Sequence, residues 1–391
     1  MTDVRDTVDT TPRESGPAVH ERTARLRGRP GFYRSYTQDL ALFNTRPKQV
    51  GVAAIVLAAV LMPFLLTDPL LRTLSIAFVF AIGALGLNIV TGLAGQISLG
   101  HAFFLGIGAY TAAAISGDPD GRTIGFGITN ILVWLPAAGL VAGLAGMLVA
   151  PLATRLRGLY LAIVTLGLVF IGEHIFEEWS ALTGGAGVGR EAARPELFGF
   201  AFDQATDLFT DDQQMYLLML VLLCVFALGA RNLARSRVGR AFAAVRDRDM
   251  AAEMMAINLP RTKTLAFGIS SFYAGCAGAL LYTVSGFFDP ASFNLLLSVQ
   301  FIAMVLIGGA GTVSGTIMGA LFISLLPTLT RELPSYVPLI SASVTETPNV
   351  FQVESILYGL LIVAFLLFEP RGLFGIWIRI RNYWKGWPFS Y

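Results

Sequence analysis

The apolar residues of this chain are gathered into long runs, and the length of these runs decides which folds are open to it. A helix needs about 20 predominantly apolar residues to cross a bilayer, and runs near that length recur between residues 50 and 368. Hydrophobic residues make up 54% of the chain and charged residues 14%, whereas soluble domains carry roughly 25% charge. We therefore predict an all-α polytopic membrane protein with about ten transmembrane helices. The predicted spans are residues 50–66, 72–91, 97–116, 128–153, 159–180, 214–231, 263–287, 294–311, 313–330 and 350–368.

The distribution of charge predicts how these spans are oriented. Residues 1–49 hold nine basic side chains and no long apolar run, which predicts a mostly disordered cytoplasmic extension rather than a signal peptide. Lys and Arg are enriched in cytoplasmic loops, so both termini are expected inside. The inner segments are then Arg155 with Arg157, the loop 231–263, and the tail 371–391 with Arg371, Arg379, Arg381 and Lys385. The acidic residues expected outside are Asp118, Asp120, Asp203, Asp207, Asp211, Asp212, Glu332 and Glu346.

Several kinds of functional site are not supported by the composition. Cys224 and Cys276 both fall inside predicted spans, so we expect neither a disulfide framework nor redox chemistry. Three histidines provide no metal-binding constellation. A Gly-x-x-x-x-Gly-Lys-Ser/Thr phosphate loop is missing, and no set of nucleophile, base and orienting residue supports a catalytic site. The uneven charge fits orientation in a bilayer rather than nucleic-acid binding.

The loop 231–263 separates two apolar halves and carries eight of the 28 Lys and Arg residues. Within it, Val238, Phe242 and Val245 follow helical spacing, and Met250, Met254 and Ile257 repeat this spacing twelve residues later. We predict two short amphipathic helices that are too brief to be stable alone. Their apolar stripes are expected to be covered by the groove of a partner protein.

Two Gly-rich breaks, residues 92–100 and 308–315, lie between predicted spans and contain no charged residue. We predict that both are broken or re-entrant helices in pseudo-repeated halves, because freed backbone groups at membrane depth are tolerated where they line a cavity or are buried in protein. Close helix packing through small residues is the alternative. The candidate pathway residues are Gly95, Gln96, Ser98, His101, Gly309 and Gly311.

Other polar residues in or beside the spans have structural interpretations. For His101, the alternative to a pathway role is a ring bonded to a neighbouring carbonyl. Asn88 and Gln300 are uncharged amides within spans, so we expect both to form hydrogen bonds between helices. The outer residues 183–187, Thr-Gly-Gly-Ala-Gly, either contact a delivery protein or form a turn.

These stretches resemble the permease subunits of bacterial branched-chain amino-acid ABC importers, the LivM-like family. The resemblance extends from about residue 70 to residue 375 and includes GQISLGHAFFLGIGAY at 95–110 and SRVGRAFAAVR at 236–246. Further matching blocks are residues 86–92, 155–166, 182–187, 251–253, 257–258, 307–311 and 369–373. The order and spacing of the blocks make the resemblance specific.

The resemblance implies a permease domain at residues 50–370 in the bacterial inner membrane, acting as a transport subunit rather than an enzyme. It implies two ABC ATPase partners that hold ATP and Mg²⁺, a second homologous permease, an external solute-binding protein, and a small amino-acid substrate. This chain itself would hold no cofactor. In the resembling family the ATPase-docking helix lies in the loop that matches 231–263. The implied docking residues are Gly239, Arg240, Phe242, Arg246, Asp249 and Glu253.

Two other functions remain open from the sequence. A related ABC permease for urea or short amides looks alike in the Gly-rich breaks. An ion-coupled secondary transporter or a channel would instead have paired carboxylates within the membrane and no docking loop. The prominent basic loop favours the ATP-driven importer.

Overall fold

The computed structural model describes residues 46–119, 121–156, 158–202, 204–206, 209–331, 350–369 and 371–386. The predicted extension therefore lies outside the described residues up to residue 45. Six residues whose side of the membrane was predicted from charge also lie outside the described residues, namely Asp120, Arg157, Asp203, Asp207, Glu332 and Glu346.

Helices dominate the described chain. In chain order they are α1 Arg46–Leu61, α2 Asp68–Leu87, α3 His101–Ser116, α4 Ile131–Arg155, α5 Leu159–Glu178, α6 Ser180–Thr183, α7 Asp211–Arg235, α8 Arg237–Asp247, α9 Asp249–Met254, α10 Leu259–Ser285, α11 Leu295–Gly308, α12 Val313–Arg331, α13 Val350–Phe368 and α14 Gly372–Gly386. A 3₁₀ turn, Met62–Phe64, extends α1, and a π-helix, Asn88–Leu93, continues α2. A second 3₁₀ turn, Pro290–Phe293, precedes α11.

Each of the ten predicted spans coincides with an apolar helix. By length and composition, five helices of the described chain can cross a membrane, namely Asp68–Leu93, Ile131–Leu152, Leu159–Glu178, Asp211–Arg235 and Leu259–Ser285. The other apolar helices are shorter, namely Val50–Phe64, His101–Ser116, Leu295–Gly308, Val313–Thr328 and Ser355–Phe365. A polytopic helical architecture is thus confirmed, while the number of crossings stays a prediction.

Polar residues at the helix starts explain several boundaries. The Asn130 side chain accepts a hydrogen bond from Leu132 N at 2.9 Å, and Asn258 accepts one from Arg261 N at 3.0 Å. Thr210 and Gln213 form a reciprocal capping box at the start of α7. Such caps satisfy amides that have no partner inside the helix, which is why the helices begin at these positions. At the other end of α10, Gly286 adopts a left-handed conformation with φ of 82° and stops the helix.

Helix α10 lies at the centre of the bundle and packs against α2, α3 and α4. Small residues permit this close approach. Gly275 faces Gly108 of α3 on one side and Ala138 with Ala142 of α4 on the other. Between membrane helices, van der Waals contact through small residues is a main source of association. The central position of α10 fixes its first turn, and with it the end of the loop 231–263.

The bundle has two distinct ends. We call the end that carries residues 231–263 the loop end, and the opposite one the far end. At the far end, the strands β1 Arg190–Glu191 and β4 Phe287–Phe288 pair antiparallel, with Arg190 opposite Phe288. The strands β2 Glu196–Leu197 and β3 Phe200–Ala201 form a separate hairpin. Beneath them the rings of Tyr110, Phe176, Tyr282, Phe288 and Phe293 form one cluster, with contacting centroids 4.8–5.9 Å apart.

The predicted tail 371–391 contains the amphipathic helix α14, which packs against α11 and α12. Phe374 and Ile378 are half-buried, whereas Trp377 and Trp384 are exposed. Arg379 is also exposed and pairs with Glu369 at 2.7 Å. An outward face of aromatic and basic residues is typical of a helix at a membrane interface.

Candidate docking loop and helix breaks

The first loop helix, α8, is held to the bundle by its apolar stripe. Ser236 caps it by accepting a hydrogen bond from Gly239 N at 3.2 Å. Phe242 is 0% exposed and Val245 is 3% exposed, and both pack into the protein's own interior. A methyl group on Gly239 would overlap the carbonyls of Leu233 and Ala234, so glycine is needed for the turn from α7. The expectation that a partner's groove covers this stripe is wrong, because the bundle already covers it.

The second loop helix, α9, presents its two methionines outward, while Ala252 is buried. Met250 is 70% exposed and Met254 is 83% exposed. Glu253 and Arg240 are exposed as well. Asp249 forms an ion pair with the buried Lys263 at 2.9 Å, which fixes α9 to the start of α10. The second stripe is therefore the one that remains available to a partner.

An open cavity of about 320 Å³ lies between the two loop helices. Its lining consists of Ala244, Asp247, Arg248, Ala251, Ala252 and Met255. Most of this surface is apolar, and charged groups stand only at Asp247 and Arg248. The cavity has the size and chemistry to receive an apolar side chain flanked by polar groups.

The first Gly-rich break begins where the π-helix ends. Gly95 has φ of 70°, a left-handed conformation that glycine adopts without steric cost. The backbone N–H of Gln96 donates to Val90 O at 2.9 Å, and Leu99 N donates to the Thr165 hydroxyl at 2.9 Å. Ser98 accepts from Gly100 N at 3.4 Å. Side chains and a nearby carbonyl thus satisfy three of the backbone amides that the break frees from helix.

The second break, between α11 and α12, is shorter. Gly309 and Gly311 have φ of 114° and 83°. Thr312 donates its hydroxyl to Gly309 O at 2.8 Å and so closes the turn. A methyl group on Gly309 would lie 2.5 Å from Arg371 O, which places the matching block 369–373 directly against this break. Both breaks join two apolar helices at the loop end.

The two breaks and the loop contact one another. Asn88 accepts a hydrogen bond from Gly311 N at 2.7 Å, and its amide group lies 3.5 Å from Thr312 O as a donor. Arg246 donates from Nη1 to Gly92 O at 2.9 Å. The predicted interhelical role of Asn88 is confirmed, and so is that of Gln300, which donates to the Tyr358 hydroxyl at 3.5 Å.

Sequence comparisons decide the family. The family model described as branched-chain amino acid transport system, permease component, matches residues 70–366. The chain belongs to this permease family. It is 31% identical to the high-affinity branched-chain amino acid transport system permease protein LivM of Salmonella typhimurium, over 84% of this chain and 76% of the relative, and 30% identical to LivM of Escherichia coli K12 over the same shares. The corresponding protein LivH of Escherichia coli K12 is 24% identical over 76% of this chain and 91% of its own length. No solved structure matches this permease.

The candidate pathway residues of the permease fall into two groups. Gly95, Gly309 and Gly311 lie in packed contacts. Ser98 is 4% exposed and accepts from Gly100 N, and His101 is 2% exposed with Nε2 lying 2.9 Å from Gly83 O. Gln96 is also buried, at 6% exposed, but it differs from the others because neither end of its amide has a hydrogen-bond partner among the described residues. A buried amide without a partner is costly, so Gln96 is the residue of this set most in need of a ligand or water.

At the far end of the permease, Arg190 ties three segments together. It is 5% exposed and donates to the carbonyls of Leu182, Ala113 and Ile124 at 2.5, 2.6 and 3.2 Å. Burial lowers the pKa of the Arg190 guanidinium, and the nearby Tyr110 opposes this shift. Sequence analysis missed Arg190, because an isolated arginine in a loop gives no sign of burial.

Proposed function

We propose that this permease is the membrane subunit of an ATP-driven importer for branched-chain or related small amino acids. The relatives LivM and LivH are named as high-affinity branched-chain amino acid transport permeases, and family membership carries the proposal. The structural support is the division of the loop 231–263 into a face buried on the bundle and an exposed face with a cavity. An exposed apolar surface rimmed by charge is typical of a protein-binding site.

The proposed partners at the loop end are two ABC ATPase subunits, and this end is then cytoplasmic. Met250, Met254 and the cavity supply apolar contact area, while Arg240 and Glu253 supply charge complementarity. Phe242 and Gly239 contribute by holding α8 in position, since both are buried. A second homologous permease completes the transport pathway in the membrane.

The docking role is tested by filling the cavity. Ala251 is exposed and lines it, so Ala251→Trp adds bulk there without entering the core. We expect Ala251→Trp to prevent co-purification of the ATPase subunits with a tagged permease, and the matched control Ala251→Ser to retain it. Equal recovery of ATPase with both variants would contradict docking at the cavity.

At the far end, the hairpin β2–β3 is the proposed contact for the solute-binding protein. Its tip residue Phe198 is 83% exposed and has φ of 49°, which is unusual for a residue other than glycine. The Thr-Gly-Gly-Ala-Gly segment 183–187 lies nearby in the chain and forms turns with left-handed glycines. Phe198→Gly removes the ring and suits the backbone, so we expect an unchanged fold and weaker binding of the solute-binding protein. Unchanged binding would remove Phe198 from the interface.

The described residues favour this function over an ion-coupled transporter. Their buried charged side chains are Arg190 and Lys263, and no Asp or Glu among them is buried. A fully buried pair of carboxylates, of the kind ion coupling commonly uses, is therefore missing from the described part of the chain, since Glu173 and Glu177 of α5 are only half-buried. The ligand spectrum of the purified solute-binding protein separates branched-chain amino acids from urea and short amides.

The proposed solute pathway passes the first break beside Gln96, whose unpaired amide supplies a donor and an acceptor. Gln96→Leu is expected to raise the apparent KM for uptake and to leave ATP turnover in the assembled complex unchanged. An unchanged apparent KM would show that the solute pathway does not pass beside Gln96. For Gly95, Ser98, His101, Gly309 and Gly311, a pathway role stays a prediction.

A further inference from the structure

Arg246 belongs to the docking loop and its side chain is 42% exposed, yet one nitrogen of its guanidinium reaches the bundle. Its Nη1 donates to Gly92 O at 2.9 Å, across 154 residues of sequence. Its Nε and Nη2 both lie 3.3 Å from the Asp247 carboxylate, which orients the guanidinium plane. Gly92 is near the C-terminal end of the helix formed by α2 and its π extension, where carbonyls carry negative partial charge. A cation is favoured there.

Two glycines make room for this contact. A methyl group on Gly95 would lie 2.5 Å from Arg246 Cγ and 3.0 Å from Arg246 Cα, so any side chain there would push α8 away. A methyl group on Gly311 would lie 3.1 Å from Arg246 Nη1 and 3.2 Å from Gly92 O. Both breaks therefore lie against the same arginine, the first at its backbone and stem and the second at its guanidinium.

Asn88 extends the contact from the first break to the second. It receives Gly311 N at 2.7 Å and sits one helical turn before Gly92. A methyl group on Gly92 would overlap Asn88 Oδ1 and Gly311 N, so the three residues are in direct contact. The chain of contacts runs from α8 through Arg246 to the end of α2, and through Asn88 to the segment that joins α11 and α12.

We infer that Arg246 is a positioning residue that ties the docking loop to both Gly-rich breaks, with Asn88 as the link between the breaks. A displacement of α8 is then transmitted to α2, α11 and α12 together, at the loop end of each helix. Arg246 acts within the permease rather than on the ATPase surface. This inference rests on the proposed function in so far as the ATPase is what moves the loop.

The first experiment uses the complete complex in proteoliposomes, with Arg246→Gln, Arg246→Lys and the matched control Arg261→Gln, which removes an exposed charge at the start of α10. Arg246→Gln is expected to co-purify with the ATPase subunits and to hydrolyse ATP, while solute uptake per ATP falls about tenfold, as loss of a charge-assisted hydrogen bond implies. Arg246→Lys restores part of the uptake and Arg261→Gln retains it. Loss of ATPase co-purification in Arg246→Gln, or unchanged uptake per ATP, would overturn the inference.

The second experiment measures the energetic coupling between Arg246 and Asn88 in the isolated permease, and so does not depend on the ATPase. Melting temperatures of detergent-solubilised wild type, Arg246→Gln, Asn88→Ala and the double variant form a cycle. We expect the double variant to melt clearly above the temperature that the sum of the two single losses predicts, because each single change already loosens the same contact. Strictly additive falls in melting temperature would contradict a shared contact of Arg246 and Asn88, even in a complex that transports solute. Asn88→Ser, which also removes the amide group without adding bulk, replaces Asn88→Ala if the latter is not recovered.

Discussion

At the scale of single residues, the loop 231–263 separates side chains that hold the loop from side chains that meet a partner. Phe242 and Glu253 were both predicted as docking residues, yet Phe242 lies in the core and Glu253 is exposed. This difference in burial decides what each substitution does. Arg246 is exposed as well, but its hydrogen bond to Gly92 O places it with the residues that hold the loop.

Phe242→Ala is expected to act on stability. Removing a fully buried phenylalanine leaves a cavity and costs about 3–5 kcal/mol in free energy of unfolding. Thermal unfolding of the detergent-solubilised permease, without any partner, measures this loss. A melting temperature equal to that of the wild type would show that the ring is not packed as described.

Glu253→Lys is expected to act on docking. The side chain is exposed, so expression and melting temperature should match those of the wild type. Reversing its charge opposes the complementary surface of the ATPase, and solute-stimulated ATP turnover is expected to fall about tenfold. Glu253→Gln, which keeps the size, is the control with the smaller loss. Turnover unchanged in Glu253→Lys would remove this residue from the interface.

At the scale of helices, the sequence predicts well where the apolar helices lie along the chain, but poorly which of their apolar faces are covered by other helices. Apolar length alone located the ten apolar helices, because the bilayer sets how many residues a span needs. The stripes at Val238 and Met250 look equivalent in sequence, since both repeat with helical spacing. Only the fold shows that the first is covered by the bundle and the second is exposed. Periodicity indicates which face is apolar but not what covers it.

Long-range contacts are the part that a single sequence does not reveal. Both breaks were recognisable from glycine content, and Asn88 from an amide placed within a span. Their meeting with Arg246 depends on how α2, α8 and α12 are arranged in space. The family resemblance pointed Arg246 toward a partner, and its charge gave no sign of the contact with Gly92, because most arginines in such a loop face solvent.

Close packing of α3 and α10 is tested by Gly108→Val. The new side chain would overlap the backbone of Gly275, which cannot move without displacing α10. Overpacking of this kind costs about 1–3 kcal/mol or more. Gly167→Val on α5 is the matched control, since a methyl group there meets nothing within 4 Å. Size-exclusion profiles and melting temperatures compare the two, and equal behaviour would contradict the described packing.

At the scale of the whole molecule, the permease places different contacts at its two ends. The loop end joins the loop helices to both breaks, and the far end carries the hairpin with Phe198 and the strand β1, whose Arg190 bonds to three neighbouring segments. Helices α2 and α10 run between the ends and are largely buried in the bundle. In the proposed importer, this layout lets the loop end respond to ATPase movement while the far end receives solute.

Uptake of radiolabelled leucine into proteoliposomes tests the proposed function most directly. The vesicles contain this chain, a second permease, the two ATPase subunits and the solute-binding protein. We predict accumulation above the external leucine concentration that requires ATP and disappears with Ala251→Trp. Accumulation of leucine at the same rate without ATP, or driven by an ion gradient in the absence of the ATPase subunits, would contradict an ATP-driven importer that docks through residues 231–263.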